Sequence, residues 1–124
     1  EETLEEFDLA RLRHRRGWQL SGGERRRLEV ARTLMTNPSF VLLDEPFTGV
    51  DPLATAELRE MVASLRSRGL GVLISDHNVR ETLRVCDRAY LLVEGRVLES
   101  GTPRQIIDSQ RARQCYLGEE FQLW

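Results

Sequence analysis

The sequence predicts an α/β domain with a mainly parallel sheet flanked by helices, and three observations predict it. Two short apolar runs, residues 40–43 and 71–75, are bounded by turn residues and have the length of strands buried in a sheet. Between them, Ala54, Leu58, Met61, Val62 and Leu65 recur at helical spacing. A strand, a helix and a second strand in that order normally close as parallel neighbours through a right-handed crossover.

Taken in order, the elements begin with Leu4, Phe7, Leu9 and Leu12, whose mixed helical spacing predicts a helix running into the basic cluster Arg11, Arg13, His14, Arg15 and Arg16. Positive charge at that point favours a helix carboxyl end. Ser21-Gly22-Gly23-Glu24 has the S-x-x-E form of a capping box, so a helix is expected from Gly22 with Leu28, Ala31, Leu34 and Met35 on its apolar side. Asn37-Pro38 ends it. Residues 40–43 are expected to be a strand buried on both faces, with Asp44 and Glu45 at its carboxyl end.

Asp51-Pro52 reads as an N-cap with proline at the first helical position, and Gly69 stops that helix. A second buried strand over residues 71–75 leads into the polar turn Asp76-His77-Asn78. The helix that follows, residues 79–86, has Val79, Leu83 and Cys86 on one side. Residues 89–93 and 96–98, joined by Glu94-Gly95, read as a hairpin on the edge of the sheet, and Thr102-Pro103 caps a short terminal helix.

Composition narrows the functional classes. A chain of 124 residues, 40% hydrophobic and 31% charged, supports one modest core and is not disordered in composition. Its longest apolar runs fall far short of the ~20 residues of a membrane-spanning helix. No charged-then-apolar leader is legible, and Cys86 and Cys115 are isolated thiols without metal-ligand spacing, so a reducing cytosol is expected. Net charge is −2, and all 18 of the Lys and Arg positions are arginine. With that acidic balance, Arg25, Arg26 and Arg27 read as a solvated helix face, and no nucleic-acid partner is expected.

Ligands of open α/β sheets bind beyond the carboxyl ends of the strands, which brings Asp44, Glu45 and His77 to one rim. A carboxylate for Mg2+ and a second to orient water are what phosphoryl transfer to water requires. Asp44-Glu45-Pro46 taken alone fits a solvated strand-end turn equally well. Adjacent glycines at a helix start leave backbone N–H groups open to an anion, with the Ser21 hydroxyl beside them, and the same geometry also serves a plain cap. Asp51 reads first as an N-cap. His77 taken singly is as ordinary as any histidine after a strand, although its near-neutral pKa suits a phosphate contact.

In order and spacing, Leu20-Ser21-Gly22-Gly23-Glu24, then residues 40–45 with Pro46, then Asp51, then Ser75-Asp76-His77 resemble the ABC-type ATPase family of P-loop NTPases. The resemblance implies that Ser21, Gly22 and Gly23 belong to the signature motif and Asp44 is the Walker B aspartate that serves Mg2+. It likewise makes Glu45 the catalytic base, Asp51 the D-loop aspartate and His77 the switch histidine. Within the family, residues 22–27, 70–82 and 116–121 resemble the ATPase subunits of bacterial lipopolysaccharide export, although Ser75 stands where threonine is frequent there. ATP and Mg2+, a second copy of the subunit and transmembrane permease subunits are then the implied cofactors and partners. Membrane association is implied only through those partners, on the cytoplasmic face of the inner membrane.

The family's phosphate loop carries a lysine, and this chain has none. Its residues are therefore expected to be the carboxy-terminal half of one ATPase domain, inactive alone: 1–36 the end of the helical subdomain with the signature helix, 37–124 part of the catalytic subdomain with a tail. Phe121, Leu123 and Trp124 in that tail are expected either between subunits or on their own domain. Alternatives are the ATPase of another ABC importer or exporter, a non-transport ABC protein acting on DNA or ribosomes, and a regulatory module that has lost hydrolysis. The short step from Glu24 to Asp44 leaves no room for the coiled-coil insertion common in the non-transport group. The intact signature and Glu45 weigh against the regulatory one.

Overall fold

A computed structural model describes residues 2–123. The chain divides into two compact units, Glu1–Leu43 with Asp51–Leu73 and Asp44–Val50 with Ile74–Trp124. Among the described residues the strands form two separate two-stranded sheets, β1 (Phe40–Asp44) with β2 (Gly71–Ser75) and β3 (Ala89–Val93) with β4 (Arg96–Gly101). Gly71 N–H donates to Ser39 O at one end of the first pair and Glu45 N–H donates to Ser75 O at the other, the order of a parallel ladder.

In the first unit the expected opening helix is cut short. Helix α1 covers only Glu2–Glu6, because Asp8 adopts a left-handed φ of 53° and turns the chain. Leu9 N–H donates to Leu4 O at 2.7 Å and Asp8 N–H to Glu5 O at 3.1 Å, the bond pair of a Schellman ending with aspartate in the usual glycine position. Two 3-10 turns, Ala10–Leu12 and Gly17–Gln19, follow. The basic cluster therefore lies beyond the helix it was expected to end.

Helix α2 (Gly22–Leu34) begins where the capping box predicts. Its buried side is Val30, Ala31 and Leu34, and Leu28 and Met35 are exposed, so the apolar stripe is rotated from the expected set. Helix α3 (Pro52–Ser67) buries Thr55, Leu58, Met61, Val62 and Leu65, and Gly69 ends it at a φ of 78°.

Neither β1 nor β2 is buried on both faces. Val41 and Leu43 are buried, but Phe40 and Leu42 are 70% and 73% exposed and Leu73 is also exposed. One face of the ribbon packs and its opposite apolar face is bare.

In the second unit, helix α4 (Val79–Val85) is capped by Asn78, whose side chain accepts from Glu81 N–H, and ends one residue before the expected Cys86. The β3–β4 hairpin turns on Glu94 and Gly95, both at positive φ as a tight hairpin turn requires. It is not the edge of the other sheet. Its ladder from Ala89↔Gly101 to Val93↔Arg96 uses one edge of β3, and no described strand pairs with the other edge. Tyr90, Leu92 and Val97 are exposed.

Helix α5 (Pro103–Asp108) carries the Thr102/Gln105 capping box, and α6 (Gln110–Ala112) runs into a π turn over Arg113–Leu117. Leu83, Ile106, Ala112 and Leu123 form this unit's core, with Leu117 and Phe121 packed on it. The tail thus folds onto its own unit, and Arg84 Nη2 donates to Leu123 O at 3.0 Å. Trp124 lies outside the described residues.

Candidate functional site

At the strand ends of the second unit Asp44 is bonded to Ser75, and its neighbour Glu45 lies near His77, far along the chain from both. The Ser75 hydroxyl donates to the Asp44 carboxylate, and Glu45 N–H donates to Ser75 O at 2.7 Å. Glu45 sits at a φ of 45°, a left-handed conformation that costs a non-glycine residue energy and persists where the surroundings impose it. Here the surroundings are the Ser75 bond on one side and, on the other, the turn over residues 45–48, closed by Thr48 N–H donating to Glu45 O at 3.3 Å. Together they aim the Glu45 side chain off the strand end.

Asp76 links this turn to the next one. Its Oδ2 accepts Phe47 N–H at 2.7 Å, and its Oδ1 accepts Asn78 N–H at 2.7 Å and the Thr48 hydroxyl at 3.4 Å. The Asn78 bond is an Asx turn, and it brings the His77 ring over the Glu45 turn. His77 Nδ1 lies 3.4 Å from Thr48 Oγ1 and 4.0 Å from Glu45 Oε1. At 4.0 Å the carboxylate and the ring do not hydrogen-bond. With side chains 58% and 65% exposed, each remains open to a ligand.

A different arrangement sits in the first unit. Ser21 Oγ accepts Glu24 N–H at 3.2 Å, and Ser21 N–H donates to Glu24 Oε2 at 2.9 Å, the reciprocal pair of a capping box. The Ser21 backbone bond chiefly holds the Glu24 carboxyl below its ordinary value; desolvation, the next largest effect, opposes it, and the Ser21 hydroxyl, Arg11 and Arg15 add to the lowering. A side chain at Gly22 would meet nothing within 4 Å, and the N–H groups of Gly22 and Gly23, unlike that of Glu24, have no partner within the helix and are left to an approaching anion. Asp51 caps α3 by accepting Leu53 N–H at 3.0 Å and Ala54 N–H at 3.1 Å.

Asp44, Glu45 and His77 are therefore gathered in one unit, and Ser21, Gly22, Gly23 and Asp51 occupy helix starts in the other. Ser75 and Asp76 carry much of the geometry, and sequence reasoning assigned neither a role. A serine and an aspartate directly before a histidine, at the end of a strand paired with the one carrying Asp44, were the available signal. Among the described residues no group of three or more His, Cys, Asp or Glu could hold a metal by itself.

Residues 1–48 match the ABC transporter family. The lipopolysaccharide export system ATP-binding protein LptB of Haemophilus influenzae is 52% identical over 99% of this chain and 51% of its own length. LptB of Acidithiobacillus ferridurans is 54% identical over the same shares. The crystal structure of the ADP conformation of MJ1267, an ATP-binding cassette of an ABC transporter, superposes with a TM-score of 0.85 at 30% identity over 95% of this chain and 48% of that one. The chain spans about half the length of the curated relatives it matches. Along nearly all its length the chain is similar in sequence to ABC-transporter ATP-binding proteins, and its fold is that of part of an ABC ATPase cassette.

Proposed function

We propose that these residues are part of an ATP-hydrolysing subunit of an ABC transporter, and that the complete protein powers lipopolysaccharide export from the inner membrane. The observation that carries this reading is the Glu45 turn, in which a strained backbone holds a free carboxylate 4.0 Å from His77 at the end of a strand. Relatives named for lipopolysaccharide export, at 52% identity or more, support the choice of transported substrate.

In this reading Glu45 accepts a hydrogen bond from the attacking water and orients it toward the γ-phosphate of ATP. His77 contacts that phosphate through the ring nitrogen that does not face Thr48. Asp44, with Ser75 fixing one side of its carboxylate, would hold Mg2+, and the ion would supply neutralisation of phosphate charge. A single carboxylate suits this ion, which keeps its waters and phosphate oxygens as its other ligands.

The signature end of α2 serves a second copy of the subunit. Ser21 and the N–H groups of Gly22 and Gly23 face the ATP held on that copy's phosphate loop, and Asp51 lies at the interface between the copies. Residues 1–36 belong to the helical subdomain and 37–124 to the catalytic one, the carboxy-terminal half of the domain. The phosphate loop lies outside these residues, which do not hydrolyse ATP alone. Permease subunits hold the dimer at the cytoplasmic face of the membrane, and no helix among the described residues is long and apolar enough to cross it.

The test is the Glu45→Gln variant of the complete polypeptide, assayed for ATP turnover and ATP binding. Turnover should fall by at least ~10²-fold with binding retained. Turnover at the parent rate would remove Glu45 from the role of base.

A further inference from the structure

Glu57 projects from α3 against the start of α2. Its Oε2 lies 3.5 Å from the point a Cβ on Gly23 would occupy, so the carboxylate stands beside the second glycine of the capping turn. Left alone, a negative charge there would repel any phosphate approaching the open N–H groups of Gly22 and Gly23. It is not left alone. Arg27, four residues after Gly23 and on the same face of α2, donates from Nη1 to Glu57 Oε2 at 3.0 Å, and both side chains are partly buried.

The pair is poorly explained as a device for stability. Arg27 Nε is buried without a hydrogen-bond acceptor among the described residues, which costs free energy, and an apolar pair of similar volume generally packs as well or better. What a charged pair adds is registry: it bonds only when two elements sit at one offset. These two elements are the helix capped by Ser21 and the helix capped by Asp51.

We propose that Arg27 and Glu57 are a positioning pair that fixes the Gly22–Gly23 end of α2 against α3 and cancels the charge that Glu57 would otherwise present to the nucleotide of a second subunit. This rests on the reading of Ser21, Gly22 and Gly23 given above. Neither residue touches nucleotide. Their loss acts on the association of two subunits across ATP and leaves the ATP affinity of one subunit's own phosphate loop unchanged.

The complete polypeptide carrying Glu45→Gln, which retains ATP, is sedimented with ATP and Mg2+ to measure nucleotide-driven dimerisation. Binding of a fluorescent ATP analogue to dilute subunits and the thermal midpoint are recorded alongside. Arg27→Ala and Glu57→Ala should each weaken dimerisation roughly threefold to tenfold. Analogue binding should stay within about twofold, and the exchanged pair, Arg27→Glu with Glu57→Arg, should recover most of the loss.

Parent-like dimerisation in both single variants, or an exchanged pair as weak as the worse single variant, overturns the proposal. Should an alanine variant fail to fold, Glu57→Gln replaces it. That variant keeps the volume and an acceptor for Arg27 and should weaken dimerisation about threefold at an unchanged thermal midpoint; parent-like dimerisation there also overturns the pair's role. Gly23→Asp separates the two levels. If it leaves dimerisation intact, the nucleotide-facing reading of α2 has failed; if it abolishes dimerisation while the pair variants have no effect, only the pair's role has.

Discussion

Asp76 accepts the backbone N–H of Phe47 at 2.7 Å, joining residues 29 apart in sequence and binding the turn of Glu45 to the turn of His77. Replacing Asp76 with alanine strands the Phe47 and Asn78 N–H groups together and should cost about 1–3 kcal/mol of stability. Urea denaturation of the complete polypeptide measures that loss. Steady-state ATP turnover should show kcat falling more than KM rises, because the turns that loosen carry the reacting groups and not the nucleotide's main contacts. Asp76→Asn keeps one accepting oxygen and should fall between parent and alanine. An alanine variant with parent stability would mean the two turns hold without this carboxylate.

Ser21→Ala removes the hydroxyl that accepts Glu24 N–H and should destabilise the start of α2 by about 1 kcal/mol. Hydrogen exchange at Glu24 and Arg25 reads the effect locally. Faster exchange confined to the first turn is the expected result, and unchanged protection would show that Glu24 alone closes the cap.

Acid should loosen the same cap. The Glu24 carboxyl in the folded chain lies below its ordinary value of 4.5, chiefly through the Ser21 backbone bond. Its contribution is therefore complete above the unfolded value and is lost as the pH falls through the folded one. Protection of the first turn should be level from about pH 7 to about pH 5 and decline below that. In Glu24→Gln the decline should vanish, and its persistence would assign the acid sensitivity to another carboxylate.

The carboxy-terminal tail is a structural part of its unit. Leu123 is buried with Leu83, Ile106 and Ala112, and Leu123→Ala should cost about 2–4 kcal/mol, read from the denaturation midpoint. Ending the chain at Gly118 removes Phe121 as well and should cost more. A midpoint unmoved by either change would return the tail to the subunit interface, the other place the sequence allowed.

The element order was legible in the residues themselves, and so was the placing of Glu45 and His77 at neighbouring strand ends. Proline after Asp51, serine three residues before Glu24 and threonine three before Gln105 each mark a helix start that the structure has, because caps are local and depend on no distant partner. Packing was less legible. The apolar run of β1 was expected to be covered on both faces, and only Val41 and Leu43 are. Alternation cannot be read where every residue is apolar. Asp8 illustrates a third limit: aspartate tolerates the left-handed conformation that ends α1, but nothing in the spacing of Leu4, Phe7 and Leu9 announces it. The role of Asp76 depends on bonds to residues 29 positions away, which no local pattern reveals.

The two half-clothed ribbons set how this polypeptide behaves in a test tube. Phe40, Leu42 and Leu73 stand open on one sheet and Tyr90, Leu92 and Val97 on the other, beside strand edges with no described partner. Greasy faces next to unpaired backbone are what chains use to stick to one another. Produced as these 124 residues alone, the protein should clump and bind hydrophobic dyes, and should stay dispersed only when something else clothes those strands.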